Sequence, residues 1–287
     1  METLLLEDVV ARALREDWGT GDLTTEALVP PALTGEGDII FRSGGVVAGM
    51  PVAACAFRLS DPGISFDPAA AEGEEVPPGH IVAAVRGPVA GILRAERVAL
   101  NFLGRLSGIA TTTRQAVRAV AGHRARILDT RKTTPNLRAL ERYAVRVGGG
   151  LNHRSDLGSM ALIKDNHLRA AGGIAEAVRR VRARAGPSVR VEVEVETLRE
   201  VEEAVAAGAD VIMLDNMAPA DMVEAVRRVG GRALVEASGG IRLEDLPIVA
   251  AAGVDFISLG YLTTKAAAVD LSLELRPAGV SRGQGCS

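Results

Sequence analysis

Residues 204–214, AVAAGADVIML, indicate the fold class, because residues 249–259, VAAAGVDFISL, repeat the same pattern. Each segment predicts the end of an apolar helix, a glycine that terminates it, an aspartate nearby, and then a short buried strand. Two such segments in one chain predict a series of β/α units, which build a parallel sheet with helices packed against it.

Six apolar segments are predicted to be the strands of that sheet. They are residues 124–130, 160–166, 190–196, 210–216, 233–240 and 254–260, and helices of ten or more residues separate the last four. A complete eight-stranded barrel typically takes about 250 residues, which is more than the chain offers after residue 107. We therefore predict an α/β protein whose second domain, residues 108–270, is a shortened or open α/β barrel of about six strands.

The first 107 residues are predicted to form an N-terminal α/β sandwich domain. Residues 3–15 have the apolar spacing of an amphipathic helix, and residues 80–87 have the composition of a strand. In residues 38–49, DIIFRSGGVVAG, paired glycines separate two apolar runs, which predicts a hairpin. The tail, residues 271–287, is expected to return to this domain as a strand followed by a loose end.

Composition argues against several functional classes. The chain has 33 basic and 36 acidic residues and a net charge of -3, so it offers no basic surface for nucleic acid. Its two cysteines, Cys55 and Cys286, cannot form a disulfide framework or a metal cage. The N-terminal segment is acidic where a signal peptide would be basic, and no apolar run approaches the about 20 residues of a membrane helix. We expect a soluble, cytoplasmic protein without nucleic-acid or membrane partners.

Cations are concentrated in residues 129–167, DTRKTTPNLRALERYAVRVGGGLNHRSDLGSMALIKDNH. Arg138, Arg142 and Arg146 are four residues apart on a predicted helix, and we interpret them, with Glu141, as a salt-bridged, solvated helix face. The other cations follow predicted strand ends and glycine turns, where binding residues concentrate. Arginine forks and lysine charges bind carboxylates and phosphates. We therefore predict an anion pocket formed by Arg131, Lys132, His153, Arg154 and Lys164.

Carboxylates follow the same pattern at neighbouring strand ends. In VEVEVE, alternation places Glu192, Glu194 and Glu196 on one face, which is expected to point into the barrel, and Asp215 ends the next strand. Inward carboxylates require cations or a metal nearby, and Mg²⁺ accepts carboxylate and phosphate oxygens together. A solvated edge strand is the alternative.

Glycine loops follow the last two predicted strands, at Ser238–Gly240 and at Gly260. Such loops direct backbone N–H groups at phosphate, and adjacent loops late in a barrel commonly form a phosphate cradle, although glycines also serve plain turns. Phosphate loops, metal-capable carboxylates and a cationic pocket together favour a phosphosugar carrying pyrophosphate, with a second anionic substrate.

Several motifs resemble the quinolinate phosphoribosyltransferase family (nicotinate-nucleotide pyrophosphorylase, carboxylating) over nearly the whole chain. They are EDWGTGDLT, ERVALNFLGRLSGIAT, DTRKTTPNLR, LERYAVRVGGGLNHR, LIKDNH, VEVEVE, MLDNM and EASGGI. The resemblance implies transfer of ribose 5-phosphate from phosphoribosyl pyrophosphate to quinolinate, giving nicotinate mononucleotide, CO₂ and pyrophosphate in de novo NAD biosynthesis. The matching motifs depart from the family at Thr264 and Lys265, which replace a usual His-Ser pair.

The resemblance also implies roles for individual residues. Quinolinate carboxylates would be bound by Arg131, His153, Arg154 and Lys164, with Arg97 contributed by the partner subunit of a homodimer. Ribose, pyrophosphate and Mg²⁺ would be handled by Lys132, Glu194 and Asp215, with Glu194 and Asp215 as the metal ligands. The catalytic set would be Lys132, Lys164, Glu194 and Asp215, and the remaining substrate contacts would be Thr130, Ser238, Gly239, Gly240 and Gly260.

Three alternatives remain open at this point. A relative of the same fold would act on another heteroaromatic acid, with the same site. Lys164 would instead serve as the Schiff-base lysine of an aldolase or as part of a decarboxylase pair in LIKDNH. A phosphosugar-sensing barrel would bind its ligand without turning it over.

Overall fold

The structure, a computed structural model, describes residues 3–278 of the chain. These residues form two compact units. The first comprises the residues up to Thr112, Thr134–Gly148 and those from Lys265 onward, and the second comprises Thr113–Thr133 and Gly149–Thr264.

Helices and strands alternate through most of the chain. The helices are α1 (Thr3–Trp18), α2 (Leu23–Leu28), α3 (Met50–Ser60), α4 (Val89–Ala119), α5 (Arg138–Val147), α6 (Asp165–Ala171), α7 (Ile174–Arg184), α8 (Leu198–Ala206), α9 (Pro219–Val229), α10 (Leu246–Ala251) and α11 (Tyr261–Thr264), with a 3₁₀ turn at Leu243–Asp245. The strands are β1 (Thr34–Phe41), β2 (Gly45–Val46), β3 (Ser65–Pro68), β4 (Glu75–Val76), β5 (Ile81–Pro88), β6 (Arg126–Leu128), β7 (Ala161–Ile163), β8 (Val191–Val195), β9 (Val211–Asp215), β10 (Leu234–Ser238), β11 (Phe256–Ser258) and β12 (Leu271–Pro277). Within residues 3–278, no helix combines the length and the apolar character needed to cross a bilayer.

The first unit contains a four-stranded antiparallel sheet in the order β12-β1-β5-β3. Helix α3 packs against it, and Phe57 of α3 stacks on Phe66 of β3 with ring centroids 5.9 Å apart. The tail does return to this unit as a strand, since β12 pairs antiparallel with β1. The predicted loose end, residues 279–287, lies outside the described residues.

The hairpin predicted for residues 38–49 is wrong. Strand β1 pairs with β12 and β5, while β2 pairs with β4. The reason is close packing: a Cβ on Gly45 would lie 2.9 Å from Oγ1 of Thr111, and that hydroxyl accepts the N–H of Val46 at 2.8 Å. The absence of a side chain at Gly45 therefore lets the main chain lie close to α4, and Gly45 does not form a turn between two strands.

The second unit contains six parallel strands in the order β6-β11-β10-β9-β8-β7, each inside the segment predicted for it. This confirms the prediction of a short, open α/β barrel, with β6 and β7 at the two ends of the sheet. Strand β8 lies between β7 and β9, so the alternative of a solvated edge strand is wrong.

The repeated segments owe their similarity to one local arrangement. Gly208 and Gly253 have φ of +77° and +90°, which ends each helix at a conformation that favours glycine. The aspartate that follows then accepts a main-chain N–H from the neighbouring strand: Asp210 from Val191 at 2.6 Å, and Asp255 from Val235 at 2.9 Å. The repeat thus fixes the relative positions of adjacent strands.

Glu141 was expected on a solvated arginine face, and this expectation is wrong. Its side chain is fully buried on the inner face of α5, where Arg105 donates to Oε1 at 2.8 Å. Thr134 donates its N–H to Oε2 at 3.0 Å and its hydroxyl to Oε1 at 2.8 Å. The apolar neighbours Leu140 and Ala144 are buried on the same helix, and this burial turns Glu141 inward.

We expect Glu141→Ala to destabilise the protein by on the order of 3 kcal/mol, because it leaves a half-buried guanidinium and two Thr134 donors without their acceptor. Glu203→Ala is the matched control. Among residues 3–278, Glu203 forms an ion pair with exposed Arg199 on α8, and its loss should cost under about 1 kcal/mol. The measurement is the midpoint of urea denaturation. Equal shifts in the two variants would contradict the role given to Glu141.

Candidate active site

A cavity of about 540 Å³ lies in the second unit at the carboxyl ends of the barrel strands. Parallel strands present their terminal side chains at one edge, which is where sites form in such barrels. The structure brings together eleven of the residues predicted from the sequence, which line the cavity: Thr130, Arg131, Lys132, His153, Arg154, Lys164, Glu194, Asp215, Ser238, Gly239 and Gly240.

Two predicted residues are not among those that line the cavity. Arg97 is an exposed residue of α4 in the first unit. Gly260 lies against the stem of Lys132, because a Cβ at Gly260 would be 3.1 Å from the Lys132 Cδ. Gly260 therefore makes room for the lysine chain beside the cavity.

Lys132 is positioned by its main chain. Its N–H donates to Oγ1 of Thr130 at 3.1 Å, and its carbonyl accepts the hydroxyl of Thr263 at 2.6 Å. With both main-chain groups and the stem fixed, the ammonium group is presented to solvent at the cavity. Thr263 was missed by sequence reasoning, since a threonine in a short helix carries no signal of this contact.

The cations of the pocket are not fully compensated. Across residues 3–278, neither Lys132 nor Arg154 forms an ion pair with a carboxylate. Burial lowers the pKa of the Arg154 guanidinium, and the positive charge of Arg131 lowers it further. Two neighbouring guanidinium groups in a partly buried cavity favour binding of an anion, which removes their repulsion.

Carboxylates also line the cavity, at Glu194 and Asp215. Lys164 forms an ion pair with Glu194, and Asp215 accepts a hydrogen bond from Nδ2 of Asn216 at 3.0 Å. The expectation that Glu196 also points into the barrel is wrong. Strand β8 ends at Val195, and Glu196 is exposed, with its N–H donated to the side chain of Glu200 at the start of α8.

The loop after β10 depends on glycine. Gly239 and Gly240 have φ of +90° and +61°, and a Cβ on Gly239 would lie 2.5 Å from the side chain of Asn216. Asn216 itself has a φ of +54° and donates its N–H to the carbonyl of Ser238 at 3.0 Å. From the sequence, Asn216 was placed with Asp215 at the end of the fourth strand but was given no role in the site.

A layer of buried carboxylates lies one pleat below the cavity. Glu192 and Glu236 precede the cavity residues Glu194 and Ser238 by two positions on the same strand faces, and both are almost fully buried. Asp129 is equally buried, and its Oδ1 accepts the N–H of His153 at 2.7 Å. Glu236 and Glu192 lie on β10 and β8, and Asp129 directly follows β6, so the three come from alternate positions in the strand order.

His153 lies between this layer and the cavity. Its Nε2 is 3.1 Å from Oε2 of Glu192 and 3.5 Å from Oε2 of Glu236. The 3.1 Å contact has hydrogen-bond length but lies off the ideal direction, so it is mainly electrostatic. Burial and the charge of Glu192 raise the pKa of Glu236 to about 8. Sequence reasoning missed Glu236, because a single glutamate in an apolar strand has no periodic signal.

Family-level comparison matches both units of the chain. Residues 22–107 match the N-terminal domain of quinolinate phosphoribosyl transferase, and residues 109–274 match the C-terminal domain. These two segments account for most of the chain.

Individual relatives agree with this match. The chain is 43% identical over 275 residues to a probable nicotinate-nucleotide pyrophosphorylase [carboxylating] of Bacillus subtilis, covering 96% of this chain and 95% of that protein. It is 42% identical over 281 residues to the human nicotinate-nucleotide pyrophosphorylase [carboxylating], covering 95% and 94%.

Solved structures give the same result. The crystal structure of NadC from Streptococcus pyogenes superposes with a TM-score of 0.94 at 39% identity, covering 96% of this chain and 98% of that one. The nicotinate-nucleotide pyrophosphorylase of Francisella tularensis superposes with a TM-score of 0.93 at 38% identity, covering 96% and 98%. The chain therefore belongs to the quinolinate phosphoribosyltransferase family.

Proposed function

We infer that this protein transfers ribose 5-phosphate from phosphoribosyl pyrophosphate to quinolinate with loss of CO₂, giving nicotinate mononucleotide and pyrophosphate for NAD biosynthesis. The names of its relatives support this reaction. The observation that supports it in this chain is the cavity, which cations, carboxylates and a glycine loop line together.

The cationic part of the cavity suits a pyridine dicarboxylate. Arg131 and Arg154 supply guanidinium forks, and the ammonium of Lys164 lies beside them in the same cavity. One carboxylate bound between the two arginines removes their mutual repulsion, and this gain is specific to a ligand with acidic groups. We propose that these residues hold quinolinate with its ring nitrogen directed toward the sugar.

The acidic part of the cavity suits the reacting ribose. When pyrophosphate departs from the anomeric carbon, positive charge develops on the sugar, and the carboxylates of Glu194 and Asp215 stabilise it. We propose that the ammonium group of Lys132 stabilises the negative charge that develops on the leaving pyrophosphate. The loop Ser238–Gly240 offers main-chain N–H groups to the 5-phosphate.

Decarboxylation follows from the bond that forms. Attack of the quinolinate nitrogen on the anomeric carbon makes the ring cationic. The adjacent C–CO₂ bond then breaks, its electron pair stays on the ring carbon, and that carbon takes a proton. The neighbouring cationic nitrogen stabilises the electron pair, so this step needs no organic cofactor.

We propose Mg²⁺ as the metal that accompanies pyrophosphate. Mg²⁺ is commonly held by one or two carboxylates together with substrate phosphates and water. Asp215 and Glu194 fit this donor set, since they end adjacent strands at the same cavity. The bound metal would neutralise charge on the leaving diphosphate.

Homodimer formation, with Arg97 contributed to the neighbouring site, and a cytoplasmic location stay predictions. Both are consistent with membership of the family. Size-exclusion chromatography with light scattering tests the first of them.

A Schiff-base role for Lys164 is the weaker alternative. Such a lysine needs a neutral amine in an apolar or cationic setting, whereas Lys164 contacts the carboxylate of Glu194. Another heteroaromatic acid as acceptor, or ligand sensing without turnover, has no structural observation in its favour.

We expect Arg154→Ala to lower kcat/KM for quinolinate by on the order of 100-fold or more, because it removes a charged contact in a partly buried pocket. This kcat/KM is measured from the release of labelled CO₂ from quinolinate in the presence of phosphoribosyl pyrophosphate and Mg²⁺. Arg169→Ala is the control, since Arg169 is exposed and its side chain contacts Asp165 and Asn166 of its own helix, outside the cavity. Unchanged activity in Arg154→Ala, with the fold intact, would remove the pocket assignment.

We expect Gly239→Ala to raise the KM for phosphoribosyl pyrophosphate by about tenfold or more, because the new methyl group displaces Asn216 and distorts the phosphate loop. Gly172→Ala provides a control with matched backbone strain. Gly172 has a φ of +92° but open space around it, so its substitution should cost about 1 kcal/mol of stability and no activity. Equal KM values in both variants would show that the loop does not bind this substrate.

We expect Asp215→Asn to require about tenfold more Mg²⁺ for half-maximal CO₂ release, since a neutral amide is a weaker ligand for Mg²⁺ than a carboxylate. The matched control is Asp221→Asn on α9, an exposed acid outside the cavity. A Mg²⁺ requirement that is identical in the two variants would exclude Asp215 as a ligand.

A further inference from the structure

The buried cluster of His153, Glu192 and Glu236 has no role in the chemistry proposed for the cavity. His153 is only 7% exposed at its side chain, and Glu192 and Glu236 are 0% and 2% exposed. Carboxylates buried below a cationic pocket are costly unless they are paired. Their contacts with His153 therefore call for a functional explanation.

Both ring nitrogens of His153 are engaged within the protein. Nδ1 accepts the main-chain N–H of Arg154 at 2.7 Å, and Nε2 faces the two glutamates at 3.1 and 3.5 Å. A nitrogen that accepts a hydrogen bond carries no proton, so in this arrangement the imidazole proton lies on Nε2.

The carboxylates beside Nε2 favour a proton on that nitrogen. Burial opposes the charged form of His153, but Glu192 and Glu236 outweigh it and raise the pKa, while Arg154 lowers it. A second proton, on Nδ1, would point at the N–H of Arg154. Burial and the charge of Glu192 raise the pKa of Glu236, which favours its protonated form, while the charges of His153 and Lys164 oppose this rise.

A metal ion is the other occupant that this cluster could hold. One ligand atom from each of the three residues lies within 4.8 Å of the others. A metal at that point needs the lone pair of Nε2, and a neutral imidazole would then carry its proton on Nδ1. Because Nδ1 accepts the Arg154 N–H, the geometry favours a proton over a metal.

We propose that Glu192 and Glu236 are positioning residues that lock His153 with its proton on Nε2, and that His153 in turn fixes the main chain of Arg154. His153 then supports the acceptor pocket without itself binding a substrate carboxylate, in contrast to the role that the family resemblance implies for it. Asp129 also holds His153 in place, because it accepts the main-chain N–H of that residue. Only the identity of the ligand bound by Arg154 rests on the proposed function.

We expect ¹⁵N NMR of the full chain, labelled at its four histidines, to show His153 as the neutral Nε2–H tautomer. His153→Gln assigns the signal. Addition of quinolinate or Zn²⁺ should leave the proton on Nε2. An Nδ1–H tautomer, or loss of the Nε2 proton when Zn²⁺ or quinolinate is added, would overturn the proposal. The measurement requires no turnover, so a protein that showed this tautomer but released no CO₂ would contradict only the proposed function.

Two substitutions of His153 separate positioning from ligand binding. The amide of Asn reaches the place of Nδ1 and can accept the Arg154 N–H, whereas the amide of Gln reaches the place of Nε2. We expect His153→Gln to raise the KM for quinolinate about tenfold or more and His153→Asn to raise it less than about threefold, with the KM for phosphoribosyl pyrophosphate unchanged in both. Equal losses in the two variants would assign the ring to the substrate and overturn the proposal.

A double-substitution cycle tests whether Glu192 acts through His153. Glu192→Met removes the acceptor at nearly constant size, and it should raise the KM for quinolinate in the native background but add nothing to His153→Gln. The conservative Glu236→Gln, which resembles the protonated acid, should retain the native KM. Additive losses at His153 and Glu192 would show independent roles and overturn the proposal.

Discussion

The structure depends on carboxylates buried inside a short parallel barrel. Asp129, Glu192 and Glu236 are removed from water by the strands that carry them, and a charge or acid in that position must find partners within the fold. The partners here are the His153 ring and the main-chain N–H that precedes it. The same contacts link the buried acids to the segment that presents Arg154 to the cavity.

The cavity above that layer has an unequal distribution of charge. Lys164 is compensated by Glu194, whereas Lys132 and Arg154 have no carboxylate partner among residues 3–278. The pocket therefore suits anions that arrive with the substrates, and its carboxylates suit a sugar that becomes cationic. Binding and catalysis share one electrostatic arrangement, in which the protein supplies each charge opposite to the one the reaction develops.

Local patterns in the sequence were sufficient to predict the strands of the barrel, but not the contacts between residues that are distant in the chain. The six strands were predictable because glycine and aspartate mark each turn of the repeat, as at Gly208 and Asp210. The pairing of β2 with β4 was not, because Gly45 is selected by contact with Thr111 far along the chain. Glu236 was missed for the same reason, since only the order of strands places it near Glu192. Glu141 was misassigned because a charged residue between arginines gives no sign that its helix face is buried.

The central claim is that Arg131, Arg154 and Lys164 in the cavity recognise a diacid. The most direct measurement is the affinity of the protein for quinolinate compared with nicotinate, which lacks one carboxylate. Isothermal titration calorimetry at fixed ionic strength provides it. The account expects quinolinate to bind at least about 30-fold more tightly, as one lost charged contact implies. Equal affinities for the two acids would contradict it.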